Sequence, residues 1–172
     1  MTNAAANSQP ALHPDLDSLA PLLGTWRGTG AGEYPTIESF AYTEEVTIGH
    51  VGKPFLAYSQ RTRHQDTGLP LHAETGYFRP VGSDRLELVV AQPSGIAEVL
   101  AGAIEREPTP EGDTLVVSLR STEVVTTETA KEVAEVTRNI SVVGDRMTYK
   151  VSMAAVGQAL QHHLEATLER VD

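Results

Sequence analysis

Histidine is the residue type through which this chain could hold a metal ion. The sequence contains no cysteine, which excludes disulfides, thiolate nucleophiles, iron–sulfur clusters and cysteine–zinc sites. Six histidines remain as ligands for a borderline metal, and none lies in a His-Glu-x-x-His zinc motif. His72 is left undecided between a solvated and a ligand role. The adjacent residues His162 and His163 would point to opposite faces of a strand, so only one could reach a given metal.

The strand phase around this histidine pair raises a difficulty. Leucine and alanine alternate with charged and polar residues from Leu164 to Glu169, which predicts a half-buried strand, although a helical period also fits. In strict alternation His163 shares the charged outer face, and His162 shares the leucine face. For His163 to face inward, the chain must carry a bulge there, or the regular strand must start after it.

Composition predicts one globular domain that acts on a small molecule. The chain has 172 residues, of which 40% are hydrophobic and 21% charged, and no apolar run reaches the length of a membrane span. A net charge of −10 opposes binding to nucleic acid or anionic membranes. We expect a disordered tail over residues 1–12, a single domain over 13–172, a cytoplasmic location and a monomer or homodimer. No nucleophile elbow is visible, and no catalytic pair stands out among the 23 acidic residues.

Short alternating segments separated by turn residues fill most of the chain. They predict an all-β fold, an antiparallel up-and-down barrel of about ten strands, after a short helical turn over 14–23. Glycine-containing turns are expected at Asp66–Gly68, Pro80–Gly82, Pro93–Gly95 and Gly144–Asp145. Ala97, Ala101 and Ala103 share one face, and small residues of this kind, if they point inward, would leave a hollow barrel with room for one ligand.

A glycine-rich stretch around the single tryptophan is the most distinctive local pattern. It reads Gly24-Thr25-Trp26-Arg27-Gly28-Thr29-Gly30. Glycine at alternate positions clears one face of a strand, so a neighbouring backbone or a flat ligand can approach closely there. The alternative is the first strand of a small barrel, with Trp26 plugging one end.

Several blocks of the sequence together resemble the nitrobindin family. They lie in the family's order between about Leu22 and Leu168: the tryptophan stretch, Gly32–Ile37, Gly52–Pro54, His72–Pro80 and Leu160–Leu164. The resemblance implies an antiparallel barrel similar to lipocalins and fatty-acid-binding proteins, with haem b as the ligand. The family's axial ligand is the histidine immediately before a leucine near the C-terminus, which matches His163.

The resemblance also implies a site and an activity. Thr36 and Lys131 would contact the haem, Lys131 by pairing with a propionate. Gly24, Trp26, Gly28 and Gly30 would form part of the wall. Ferric iron held by one imidazole keeps its opposite coordination position open. The family's activity there is the isomerisation of peroxynitrite to nitrate, in which the haem iron is the catalyst and no catalytic side chain is implied. The alternatives are reversible nitric oxide binding or sensing, and haem-free transport of a small apolar ligand.

Overall fold

The structure is a computed structural model that describes residues 10–171. Of the expected disordered tail, residues 1–9 lie outside the described part, and residues 10–12 form neither helix nor strand. A 3₁₀ helix follows at Pro14–Leu22, where a helical turn was expected. No helix within residues 10–171 is both long and apolar enough to span a membrane.

Ten strands follow the helix and form one closed antiparallel barrel, which confirms the predicted fold class. The strands are β1 Gly24–Tyr34, β2 Ile37–Gly49, β3 Leu56–His64, β4 Pro70–Val81, β5 Arg85–Ala91, β6 Ile96–Thr109, β7 Gly112–Thr126, β8 Val133–Val143, β9 Arg146–Ala155 and β10 Gln161–Arg170. Each pairs with its neighbours in sequence, and β1 pairs with β10. This last pairing leaves no free edge on the sheet.

Up-and-down connectivity divides the connections between the two ends of the barrel. The β1–β2, β3–β4, β5–β6, β7–β8 and β9–β10 connections share one end, which we call the open end. The 3₁₀ helix covers the other end, where Leu16, Leu19 and Leu22 are fully buried. Trp26 lies beneath this helix, and its Nε1–H donates to the Leu22 carbonyl at 3.0 Å. The Arg170 guanidinium lies 4.1 Å from the centre of the indole ring.

The glycines of the predicted turns have the backbone conformation that such turns require. Gly68 and Gly82 have φ of 70° and 72°, a left-handed conformation that glycine adopts without a steric penalty. These turns set the strand lengths, and alternation along each strand then decides which side chains face inward.

The inward face differs from the expectation on β6. Ala97 and Ala101 are exposed on the outside of the barrel, whereas the alternate residues Glu98 and Leu100 are buried. The expected inward alanine face is therefore wrong. The interior instead combines an apolar core near the closed end with buried polar and charged side chains closer to the open end.

The inward-facing glycines of β1 make room for neighbouring parts of the barrel. A Cβ at Gly28 would lie 2.0 Å from the Thr167 carbonyl oxygen of β10, whereas one at Gly49 would have no atom within 4 Å. We expect Gly28→Ala to lower the free energy of unfolding by about 1–3 kcal/mol through overpacking. Gly49→Ala is the matched control, and urea titration followed by circular dichroism measures both. Equal, small effects would contradict this assignment.

Candidate functional site

A cavity of about 350 Å³ occupies the barrel interior and reaches the open end. Its volume is within the range of small-molecule and cofactor sites. His163 on β10 and His72 on β4 both line it. The apolar part of the lining includes Ile37, Phe40, Leu71, Val136, Met153 and Leu164.

A β-bulge turns His163 toward this cavity. On β10, His162 pairs with Ser152 and Leu164 pairs with Val151, so His163 is an extra residue opposite no partner on β9. The extra residue shifts the alternation, so that His163 and Leu164 both line the cavity. His162 lies outside it, with its Nε2 3.9 Å from Glu165 Oε2. The bulge is the irregularity that the strand phase required.

The His163 ring is held from two sides. Its Nδ1 lies 3.0 Å from the Glu33 carbonyl oxygen, and because a carbonyl only accepts, Nδ1 carries the proton. The Tyr34 ring makes an edge contact with the imidazole at a centroid distance of 5.3 Å. Tyr34 is fixed in turn, since its hydroxyl oxygen accepts from the Ala155 backbone N–H at 2.9 Å. The unprotonated Nε2, on the other edge of the ring, is left for the cavity.

The surroundings of His163 favour a neutral ring. Burial lowers the pKa of His163 below the usual value of 6.5, and the charges of His162 and His72 add to this effect, against the hydrogen bond to Glu33. A neutral imidazole with one bonded N–H and one free lone pair is the form that ligates metals. The geometry of the His163 ring therefore fits a metal ligand at the wall of the cavity.

The structure places the other two expected haem contacts at the open end, outside the cavity lining. Thr36 is exposed in the β1–β2 turn, next to the cavity-lining residue Ile37. Lys131 is exposed in the β7–β8 connection, so it lies in a loop, not in a strand. Both share this end with the β9–β10 connection that precedes His163.

The tryptophan stretch occupies a different place from the one expected. Gly24, Trp26, Gly28 and Gly30 are not among the described residues that line the cavity. Trp26 belongs to the closed end, and a Cβ at Gly30 would lie 2.3 Å from the Tyr42 ring. The expectation that these glycines admit a flat ligand is therefore corrected. They admit neighbouring strands and the Tyr42 side chain, which does line the cavity.

An ion cluster that the sequence analysis did not find lies in the cavity wall. Arg138 on β8 contacts Glu74 on β4 through both terminal nitrogens, at 2.5 and 3.0 Å, and Glu98 on β6 at 2.9 and 3.2 Å. We call these three residues the arginine cluster. Tyr58 donates to Glu74 at 2.5 Å, and Gln92 donates to Glu98 at 2.6 Å. All three residues are at most 9% exposed.

In the arginine cluster, ion pairing and hydrogen bonding together affect the pKa values of Glu74 and Arg138 more than burial does. Burial alone would raise the pKa of Glu74, but the charge of Arg138, with hydrogen bonds from His72, Arg138 and Tyr58, holds that pKa well below its usual range. Burial likewise would lower the pKa of Arg138, and the two glutamates raise it. Glu74 and Arg138 are therefore ionised at neutral pH.

A second polar group, the tyrosine cluster, consists of Glu44, Tyr149, Tyr42 and Gln60. Three oxygen contacts run in line: Glu44 Oε2 to Tyr149 Oη at 2.7 Å, Tyr149 Oη to Tyr42 Oη at 2.9 Å, and Tyr42 Oη to the Glu165 carbonyl at 3.2 Å. Each contact needs one hydrogen, and the two hydroxyls supply only two. The third hydrogen is available when the Glu44 carboxyl is protonated.

The pKa of Glu44 agrees with this count of hydrogens. Burial raises it to about 7, and the Glu74 charge adds to the rise, whereas hydrogen bonds from Gln60 and Tyr149 and the charge of Arg138 act in the opposite direction. Glu44 is therefore poised to change its charge near neutral pH, inside the barrel.

Replacing Glu44 with glutamine should remove a pH dependence of stability. An unfolded carboxyl ionises near 4.5 and the folded one near 7, so the folded state holds the proton more tightly and wild-type stability falls as pH rises through that window. Relative to wild type, we expect Glu44→Gln to gain about 2–3 kcal/mol between about pH 5 and pH 8. Urea unfolding at several pH values measures the difference. Glu45→Gln, on the outer face of β2, should show none of this trend, and a flat difference for Glu44→Gln would contradict the assignment.

The alternation of inward and outward residues along β4 and β6 could have indicated these buried polar residues from the sequence. Glu74 falls in phase with Gly76 and Phe78, and Glu98 falls in phase with Leu100, all on inward faces. A charged residue in phase with a buried apolar face predicts a paired interior charge. The pairing partners could not be read from the sequence, because they come from strands far apart in the chain.

The fold and cavity define the chain as a closed β-barrel with an internal cavity of the size of a ligand site, and His163 lines that cavity. Residues 15–170 match the family described as "THAP4-like, heme-binding beta-barrel domain". The chain belongs to this family, which is in keeping with the nitrobindin resemblance.

Relatives match over nearly the whole chain. "Peroxynitrite isomerase 2" of Mycobacterium ulcerans is 54% identical over 92% of this chain and 96% of its own length. "Peroxynitrite isomerase" of Nocardia farcinica is 51% identical over 98% of this chain and 99% of its own. The crystal structure of Rv2717c from M. tuberculosis superposes with a TM-score of 0.89 at 46% identity, covering 94% of this chain and 100% of that one.

Proposed function

We propose that this chain is a haem b protein that converts peroxynitrite to nitrate at ferric iron ligated by His163. The observation that carries the proposal is the His163 imidazole, which lines the cavity and whose Nδ1–H is bonded to the Glu33 carbonyl, so that its Nε2 keeps a lone pair. The names of the relatives from M. ulcerans and N. farcinica support the reaction.

The cavity residues fit haem by their chemistry. A porphyrin is flat and apolar except at its propionates, and the described wall around His163 offers Phe40, Met153 and Leu164. Thr36 and Lys131, at the open end, are the proposed contacts for the propionates, which would keep those charged groups near water. A lysine ammonium suits this role because its long stem lets the charge follow the carboxylate.

The bound iron would supply a Lewis acid with one coordination position open to peroxynitrite. The chain's own contribution is to hold and orient. Tyr34 and the Glu33 carbonyl fix the His163 ring, and the apolar wall limits water around the ligand. Isomerisation consumes no electron and no net proton, so the reaction needs no reductant and no second substrate.

Haemin reconstitution tests the proposal. Purified protein should bind haemin with a Soret band, accelerate peroxynitrite decay in stopped-flow measurements, and raise the yield of nitrate over nitrite. Absence of a Soret band, with retained binding of a fluorescent fatty acid, would favour the carrier alternative. Haem binding with tight ferrous nitric oxide affinity and no ferric acceleration would favour the sensor alternative.

A cytoplasmic location and a monomeric or homodimeric state are also part of the proposal. A chain without cysteine forms no disulfide, so it needs no oxidising compartment in order to fold. Cell fractionation and sedimentation of the reconstituted protein test the two statements separately.

A further inference from the structure

A second histidine lies across the cavity from His163. β4, which carries His72, is four strands from β10 in one direction around the barrel and six in the other, so the two strands are nearly opposite. His72 follows the β3–β4 connection and His163 follows the β9–β10 connection, and both connections lie at the open end. Both side chains line the same cavity. A group held by His163 would therefore have His72 on the facing wall.

The two rings are held in opposite tautomers. The His72 Nε2 lies 3.4 Å from Glu74 Oε2, and Glu74 is a carboxylate held by Arg138, so Nε2 carries a proton. The His72 backbone N–H donates to Thr62 Oγ1 at 3.1 Å, which fixes the strand beside it. Nδ1 of His72 has no hydrogen-bond partner among the described residues, and 35% of the side chain is exposed.

This difference separates two kinds of chemistry. His163 is bonded to a neutral carbonyl and presents a lone pair suited to a metal. His72 is hydrogen-bonded through Nε2 to an ionised carboxylate, which leaves Nδ1 as the ring nitrogen without a partner among the described residues. Its free Nδ1 accepts a hydrogen bond from a protonated ligand and donates one to an anion when the ring holds a second proton.

An anionic ligand needs such a partner in this cavity. The protein carries a net charge of −10, and Glu74 and Glu98 lie in the cavity wall. Arg138 directs four hydrogen bonds at these two glutamates, so its charge is already compensated. We infer, on the basis of the proposed haem site, that His72 is the residue that hydrogen-bonds a small oxyanion, or its conjugate acid, bound on the open side of the iron.

Azide titration of the ferric, haem-loaded protein tests this role. In His72→Leu the Soret band should still report haem held by His163, and azide is titrated into the fully loaded protein. We expect azide affinity to fall by about 10-fold to 100-fold, the range of one hydrogen bond to a charged group. His72→Gln, which keeps a hydrogen-bonding side chain, should recover part of the loss, and His162→Leu, outside the cavity, should behave as wild type.

The possible outcomes distinguish a failure of this inference from a failure of the proposed function on which it rests. Unchanged azide affinity in a fully loaded His72→Leu protein would overturn the inference and leave the proposed function standing. A six-coordinate, low-spin wild-type spectrum that becomes five-coordinate in His72→Leu would also overturn it, because His72 would then be a second axial ligand. Failure of wild type to bind haemin at all would remove the proposed function and the inference together.

Discussion

Haemin added to a His163→Ala variant is expected to give no Soret band of bound haem and no acceleration of peroxynitrite decay. The substitution removes the imidazole that lines the cavity with its Nδ1–H bonded to Glu33 and its Nε2 lone pair unused. Haem affinity should fall by more than about 100-fold, since even the partners that orient a metal ligand contribute 10–100-fold. The fold should persist, because His163 is half-buried at the open end and contributes little to the core.

Two matched measurements sharpen this expectation. His162→Ala changes the neighbouring ring, which lies outside the cavity near Glu165, and should load haem like wild type. Imidazole added to His163→Ala should enter the vacated space and restore part of the Soret band. Normal haem loading by His163→Ala, or loss of loading in His162→Ala alone, would assign the ligand to another residue.

Replacing Arg138 with methionine is expected to produce the largest loss of stability. Glu74 and Glu98 would keep their burial, at 5% and 3% exposure, but lose their common cation. Breaking a buried ion pair by removing one partner costs about 3–5 kcal/mol. Urea unfolding at neutral pH measures the loss. Arg120→Met removes an exposed arginine paired with Glu135 and should change stability by less than about 1 kcal/mol.

The response to acid should invert in the Arg138→Met variant. In wild type the pKa of Glu74 is lowered, so its contribution to stability is present above the unfolded carboxyl pKa and is lost as pH falls. Without Arg138, burial raises that pKa, so the variant should gain stability relative to wild type on acidification. If Arg138→Met does not fold, the neutral set Arg138→Met, Glu74→Gln and Glu98→Gln should restore folding. Failure of the neutral set to do so would show that the cluster does more than balance charge.

The barrel was predictable because its signals are local. Alternation on β1 to β10 and left-handed glycines such as Gly68 and Gly82 act within a few residues of the chain. The closing pair of β1 and β10 then follows from the need to remove a free edge.

The interior was not predictable to the same degree, because its interactions are long-range. Glu74 and Arg138 are 64 residues apart, and neither residue marks the other in the sequence. The inward direction of His163 depends on one extra residue opposite β9, which alternation shows as a conflict without resolving it. The role of the β1 glycines also depends on a neighbour from another strand. Gly30 leaves space for the Tyr42 ring, and the sequence alone does not distinguish that ring from a bound ligand.

Trp26, the single tryptophan, lies at the closed end between the Leu22 carbonyl and the Arg170 guanidinium, away from the cavity lining. Its fluorescence is therefore a built-in optical probe that no cavity ligand touches. Energy transfer to a porphyrin further up the barrel would quench the emission without contact, so intensity reports occupancy. A red shift of the emission would report exposure of the indole when Leu16, Leu19 and Leu22 of the 3₁₀ helix move away from the closed end. One unlabelled sample therefore reports both events.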